Sequence, residues 1–561
     1  MRTSISALLL LASAGWLAAQ PPIIITPRKP ADATDPPGFI VIRPKGQPTP
    51  TPPVPPATVV PPATPPVPAP ADKGDGKVLF DYWFAAAVEG ERIGYLQWSA
   101  REVEKNGQKL WVGLKYQHFT IDRFGQVVSQ FGEESTVETP AGEVLVASMR
   151  QGLGMNQALA LTGTVEGKVL KIRGEGAAAG ASDTPWPGGV TGLTTEPRLF
   201  KEKRGKAGEA FDYLTYVPQV NRVVKVTVTF EGEEATALWP NTPPRKLLRF
   251  VSKMEPVGNF KLPPATTWCD AETAEPLRVE FDFPGLGGRV TFLRTTEAAA
   301  KAPVARPLKL FNAQSIRLDR EIPGIHGMGS AVYNVRAARD DDPGTVFPAD
   351  ARQQVKNLDP KAKTFELHVA ASHGPVAGAA AEPVPGKEFL GSSFFINWDN
   401  EAVKMHAAKA VAGLPAAAGA WDKAKAVERW VHQNMKAVEF SQAMATADNV
   451  AKTLTGDCTE YAMLGAAMCR AVGVPSRTVL GLVYAAGPGG KPFLAYHMWY
   501  EAFAGDQWVP LDATLGQGGV GPGHIAITAH SWHDERSFAP LLPVLRVLAA
   551  KPAVEVLKVA P

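Results

Sequence analysis

The sequence predicts a multidomain α+β protein. It has a β-rich N-terminal part, a second β-leaning domain, and a C-terminal core in which helices precede strands. Three observations carry this reading. Residues 74–300 are filled with alternating apolar and polar runs joined by turn pairs. Helical periodicity begins only near residue 400. Beyond it, one helix start is followed by three runs rich in aromatic and β-branched residues. The 561-residue length accommodates several domains of ordinary size.

In chain order, residues 1–19 read as a secretory signal peptide: Met1-Arg2, an apolar run Ile5–Leu17, then Ala18-Ala19 before Gln20. That run is too short for a stable transmembrane span, and no later window is long and apolar enough to be one. Residues 20–73 are a proline-rich linker, expected to be disordered, extended and semi-rigid. A spacer after an export signal suits a periplasmic or extracellular protein associated with the cell-envelope surface. The formal net charge of +3 provides no basis for nucleic-acid binding.

Residues 74–300 are expected to form a half-barrel or sandwich. Asn106-Gly107 and Glu166-Gly167 sit between strand-like runs, and the run Asn221–Phe230 alternates strictly. Gly285–Gly288 separates two more strands. No catalytic cluster occurs here; the region binds substrate or partner, or serves as a spacer. Residues 306–398 carry three further strands, Ser315–Leu318, Ala331–Val335 and Thr364–Ala370. The acidic run Asp340–Asp342 lacks the alternating ligands of a calcium loop and reads as a solvated turn.

Residues 399–561 form the predicted catalytic domain with a C-terminal extension. Asp399 or Asn400 can cap a helix over Glu401–Ala412, and Trp421–Met435 places Ala424, Val427, Trp430 and Val431 on one face. A short helix near Asp448–Leu454 precedes Thr455-Gly456. Asp457 and Glu460 then make a capping-box pattern, which puts Cys458 at the first helical position. There the helix dipole favours thiolate. Of the other cysteines, Cys469 lies on the same helix, on the order of 16 Å away, too far to bridge. Cys269 is distant in sequence, so no disulfide framework is expected.

Three strands follow: Leu480–Tyr484, Phe493–Phe503 with His497, and Gln507–Thr514 with Asp512. The last two form a hairpin about Gly505-Asp506. That hairpin can bring Asp512 to one imidazole nitrogen of His497 and leave the other for Cys458, a nucleophile–base–orienter chain. Trp499 is expected to shield the site. Glu501 competes for His497 but stands ~13 Å along the strand; Arg477 is expected in a structural ion pair. Gly516–Gly523 lacks a P-loop lysine and reads as a flexible active-site rim. His524, His530 and His533, with Asp534 and Glu535, do not have zinc spacing, so neither metal nor cofactor is expected. Phe538–Ala550 reads as a helix interrupted by Pro543, and Val554–Val559 as a last strand.

The frames Gly-Asp-Cys458-Thr-Glu-Tyr-Ala, Gly-Val-Pro-Ser-Arg477, Tyr-His497-Met-Trp-Tyr-Glu and Trp-Val-Pro-Leu-Asp512-Ala-Thr resemble the transglutaminase-like superfamily. The resemblance runs from about Ala402 to about Ala529. It implies a papain-like core with the cysteine on a helix N-terminus against an antiparallel sheet. It also implies Cys458 as nucleophile, His497 as general base and Asp512 as orienting acid. The expected activity is thioester chemistry at amide bonds of protein or peptide substrates, hydrolysis being favoured over amine transfer. The alternatives are a protein-crosslinking acyltransferase and a non-catalytic exported scaffold or binding protein on the same fold.

Overall fold

The computed structural model describes residues 76–561, apart from 124–125, 155–156, 175–180, 240–241, 310–314, 439–443, 487–490 and 534–536. The expected signal peptide, the linker and the acidic pair Asp534-Glu535 lie outside the described residues.

The β-rich part is one 16-stranded sheet, built mostly as an antiparallel meander. Its hairpins sit where local chemistry allows them. Strands Glu91–Lys105 and Gln108–Arg123 meet at Asn106-Gly107, both left-handed at φ 53° and 73°. In the strand Arg222–Thr236, Val224, Val226, Val228 and Phe230 are buried, while Arg222 and Lys225 face water. The meander does not split into two hydrogen-bonded sheets. Its first strand, Lys77–Val88, pairs with its last, Gly288–Thr295, which makes the two runs of strands continuous. The sheet then rolls over itself. Lys115, on its third strand, pairs with Glu196 at 2.6 Å, and Glu134, on its fourth, accepts from Gln219 far along the sheet. Both contacts are buried.

The C-terminal part is organised by a five-stranded sheet. Its strands are β1 (Ser315–Arg317), β2 (Ser476–Ala486), β3 (Pro492–Ala504), β4 (Gln507–Leu511) and β5 (His524–His530). The helices are α1 (Glu401–Val411), α2 (Ala420–Asn434), α3 (Ala447–Thr453), α4 (Cys458–Ala471) and α5 (Leu542–Ala550). Asn400 caps α1 by accepting from the Ala402 N–H. A 3-10 turn, Ala539–Leu541, precedes α5, and Pro543 falls in the first turn of α5, where a missing N–H costs nothing. The helix α4 is buried along nearly its whole length, packed on β3 and between α1 and α2.

The boundary near residue 398 is crossed by strand pairing in both directions. The strand β1 joins the C-terminal sheet through Ser315↔Ala495, Ile316↔Leu494 and Arg317↔Phe493. In return the final strand, Ala553–Ala560, pairs with Ser330–Arg336. It completes a second sheet with Thr364–Ala370 and Gln353–Asp359, the last a strand that the residue pattern alone does not announce.

Asp341 and Asp342 of the acidic turn face water, as expected, but Asp340 is buried. The Asp340 carboxylate takes a forked pair from Arg546 of α5 at 2.7 and 2.8 Å, and both side chains are 9% exposed. Arg546 also donates to Asp342 O, Thr345 O and Thr345 Oγ1. The turn therefore fastens α5 to the second β segment, a partner some two hundred residues away that no local pattern identifies. Removing one member of such a pair leaves the other charge buried. Arg546→Ala is expected to cost about 3–5 kcal/mol, read as a lower chemical-denaturation midpoint. Arg546→Lys, lacking the planar fork, should recover only part of it.

Candidate active site

The site is built around strand β3. Along one edge β3 pairs continuously with β2, with Gly481 opposite His497. Along the other edge β1 pairs with Phe493–Ala495 and β4 with Tyr500–Ala504. Helix α4 packs on β3, and the Met498 N–H, one residue past His497, acts on the Cys458 thiol at the helix start.

Local sequence builds this helix start. The Asp457 carboxylate accepts from the Thr459 N–H at 3.0 Å, and Glu460 reaches back to the Asp457 N–H at 3.0 Å. Both halves of the capping box are present, and Cys458 is the first helical residue. Gly456 has φ 157°, and a Cβ there would stand 2.3 Å from the Glu460 Cβ, so the chain can enter the box only with glycine. Gly465, two turns on, lets the helix press against β3, because a Cβ there would meet the Tyr500 ring at 2.4 Å.

Strand alternation sorts the residues of β3. Leu494, Tyr496, Met498 and Tyr500 join the core shared with α4, while Ala495, His497, Trp499 and Glu501 face the other way. The hairpin then delivers Asp512 just past the end of β4, with Oδ2 2.7 Å from His497 Nε2. A carboxylate can only accept, so Nε2 carries a proton and donates it to Asp512. Nδ1 is buried and has no hydrogen-bond partner, so it is not hydrogen-bonded to the thiol.

His497, Asp512 and the sequence-predicted nucleophile Cys458 are thus gathered around one strand. Glu501 goes elsewhere, pairing with Arg477 at 2.6 Å. Cys469 and Cys269 are buried, and no disulfide links the three cysteines.

One expectation reverses. The helix dipole was expected to favour thiolate at Cys458, yet the thiol is pushed well up. Burial is the main cause, and the carboxylates of Asp457, Glu460 and Asp512 add to it against the Met498 N–H. The magnitudes decide this: a helix terminus is worth about 0.3–2 kcal/mol. Full desolvation moves a group by up to about 3–5 pKa units, several times as much.

Sequence reasoning missed the company Asp512 keeps. His524 at the start of β5 places its Nε2 3.1 Å from the same Oδ2. Burial holds His524 down to about 4 and His326 to about 3, so both rings are neutral at pH 7. Burial would raise Asp512, but the two imidazoles hold its carboxyl well below the usual range. His530, at the far end of β5, packs on Trp532 instead. The only signal for His524 was its place at the start of a strand, and nothing there pointed to Asp512.

The donor atoms of His497, Asp512 and His524 lie within 4.8 Å of one another. The 2.7 Å between His497 Nε2 and Asp512 Oδ2 is a proton-sharing distance. It is shorter than the roughly 3 Å that two ligands of one metal ion keep.

The site is closed. Cys458 is 4% exposed, and His497, Asp512 and His524 are 0% exposed. The glycine-rich rim is pinned rather than loose. Glu428 of α2 accepts from the Gly518 N–H at 3.0 Å, Val520 exchanges two backbone bonds with Ser372, and Arg352 donates to Gly521 O. Val520 packs with Trp499, Val479 and Ala526 on the His497 face of the sheet.

Burial, with Asp512 adding to it, raises Glu428 to about 7 against the Gly518 N–H. A carboxyl raised on folding stabilises the fold fully below its unfolded value, and that contribution is lost as pH rises through about 7. Glu428→Gln keeps the acceptor without the charge. Its denaturation free energy should fall less between about pH 5 and 8 than that of the unmodified chain, by about 3 kcal/mol.

Residues 405–513 match the family model of the Transglutaminase-like superfamily. Among solved structures, a candidate cysteine protease from Cytophaga hutchinsonii is 16% identical with a TM-score of 0.26, over 40% of this chain and 82% of its own. A beta-barrel-like protein of a domain of unknown function from Brucella abortus is 10% identical with a TM-score of 0.28, over 38% of this chain and 95% of its own. A candidate protease from Parabacteroides distasonis is 10% identical with a TM-score of 0.17, over 65% of this chain and 63% of its own. No curated protein matches the chain. The segment that holds Cys458, His497 and Asp512 is thus similar to the transglutaminase-like superfamily.

Proposed function

We propose that the protein is an exported cysteine enzyme that cleaves amide bonds of protein or peptide substrates through a thioester on Cys458. The observation that carries this reading is the His497 ring. Asp512 orients it through Nε2, its Nδ1 is buried without a hydrogen-bond partner, and the next residue, Met498, presents its N–H to the Cys458 thiol.

The chemistry starts from a neutral pair. Burial keeps the thiol protonated at rest, so the nucleophile forms as the reaction begins: His497 Nδ1 takes the Cys458 proton while sulfur adds to the substrate carbonyl. Asp512 stabilises the imidazolium that results. The Cys458 N–H, at the start of α4, is one donor for the oxyanion. His497 then returns the proton to the leaving amine, the C–N bond breaks and a thioester remains. Water, deprotonated by His497, attacks the thioester; the acid departs and the thiol is restored. A primary amine in place of water would give a new amide, the acyltransferase alternative. The signal-like N-terminus and proline-rich spacer support action in the periplasm or outside the cell, at the envelope surface.

The closure of the site favours a second reading, in which the domain is a docking module on an exported scaffold. Labelling separates the two. A small thiol-directed electrophile should modify the folded chain at Cys458 alone, and Cys458→Ala should abolish labelling. His497→Ala should slow it by about 10²–10⁴-fold. Labelling independent of His497 would support the docking module. A peptide library incubated with and without a primary amine, read by mass, then tells hydrolysis from transfer: cleaved peptides for the first, amine-bearing products for the second.

A further inference from the structure

We infer that His524 is a positioning residue for this site: it shares the Asp512 carboxylate with His497 and thereby sets how strongly the His497 imidazole holds a proton. The inference rests on the reading of Cys458 and His497 as a reacting pair.

Asp512 sits past the end of β4, in a turn, and its orientation comes from what its oxygens accept. Oδ1 takes the Thr514 N–H at 2.9 Å. Oδ2 takes two imidazole N–H groups, from His497 at 2.7 Å and His524 at 3.1 Å. These rings come from β3 and β5, which lie on opposite edges of β2, and stand 5.8 Å apart. The carboxylate is thus held between two strands that do not touch each other. All three side chains are fully buried, so no water takes the place of either donor.

Two donors on one oxygen compete. Each withdraws electron density from the other's bond, so Asp512 is a weaker acceptor for His497 than it would be alone. An imidazole facing a strong buried acceptor is more basic than one facing a weakened acceptor. His524 therefore holds down the basicity of His497 and favours return of the proton to the leaving group.

The charges around His524 keep it in this role. Asp512 draws a second proton toward it; burial, His497 and Arg352 oppose that. Arg352 also donates to His524 O at 2.9 Å. The His326 ring lies 5.5 Å away and is itself neutral. With Nε2–H committed to Asp512, His524 Nδ1 is bare, buried and without a partner, so the ring has no second bond that would explain its position.

The test measures the rate of Cys458 alkylation by iodoacetamide against pH in the full chain. His524→Phe should move the inflection belonging to His497 upward by about one pH unit. His524→Gln, which keeps an N–H donor, should stay close to the unmodified chain. A His524→Phe profile that superimposes on the unmodified one overturns the inference. If the Phe variant does not fold, ¹⁵N-histidine NMR of the unmodified chain decides, with the Gln variant used for assignment. His524 should remain the neutral Nε2–H tautomer from about pH 5 to 8. A His524 that titrates in that range, or carries its proton on Nδ1, overturns the inference. His497→Ala measured alongside separates the two failures: an unchanged alkylation profile there defeats the reacting pair itself, whatever His524 does.

Discussion

The Asp512 carboxylate, buried between two imidazole N–H groups, is the interaction on which the site depends. A buried charge needs hydrogen-bonded partners. The partners come from β3 and β5, so the sheet order that flanks β2 with these two strands fixes the site. Helix α4 packs on β3 and brings its first residue, Cys458, to the same strand. Gly456 and Gly465 allow that approach, and the capping box holds the terminus in register. His497 stands on that strand, the residue before Met498, whose N–H acts on the Cys458 thiol. Strand alternation then turns its ring to the face where the hairpin delivers Asp512.

The electrostatics of the site follow from dryness more than from the helix dipole. Buried in low dielectric, the thiol stays protonated and the imidazoles of His326 and His524 stay neutral. Asp512 keeps its charge because two N–H groups converge on one of its oxygens. The buried Asp512 anion is thus surrounded by imidazole donors, and the His497 Nδ1 has no hydrogen-bond partner. The second β-sheet contributes to this dryness. Its Arg352 and the neighbouring Ser372 hold the glycine-rich segment down over the His497 face, so the parts flanking residue 398 act together in shaping the site.

The parts of this arrangement that depend on neighbours in sequence were legible before any coordinates. The Asp457–Glu460 box spans three residues, and its chemistry is complete within them. The Gly505-Asp506 turn dictates the β3–β4 hairpin and, through it, the reach of Asp512 to His497. Asn106-Gly107 does the same for a hairpin of the large sheet. Glycine content alone, by contrast, misled for Gly516–Gly523: flexibility of the backbone says nothing about what pins it, and Glu428, Ser372 and Arg352 are distant in the chain. The burial of Asp340 within the acidic turn was hidden for the same reason, because Arg546 lies about two hundred residues from it.

Residue order and spacing by themselves determined the helix start at Cys458, the strand position of His497, the hairpin that carries Asp512, and the β-rich character of the first part. These are short-range consequences of capping, turn chemistry and alternation. Only the tertiary structure decided the protonation of the thiol, the second imidazole on Asp512, the closure of the site and the exchange of strands across residue 398. Each depends on burial or on partners brought from far along the chain, and desolvation is a property of the packed molecule that no local pattern of residues contains.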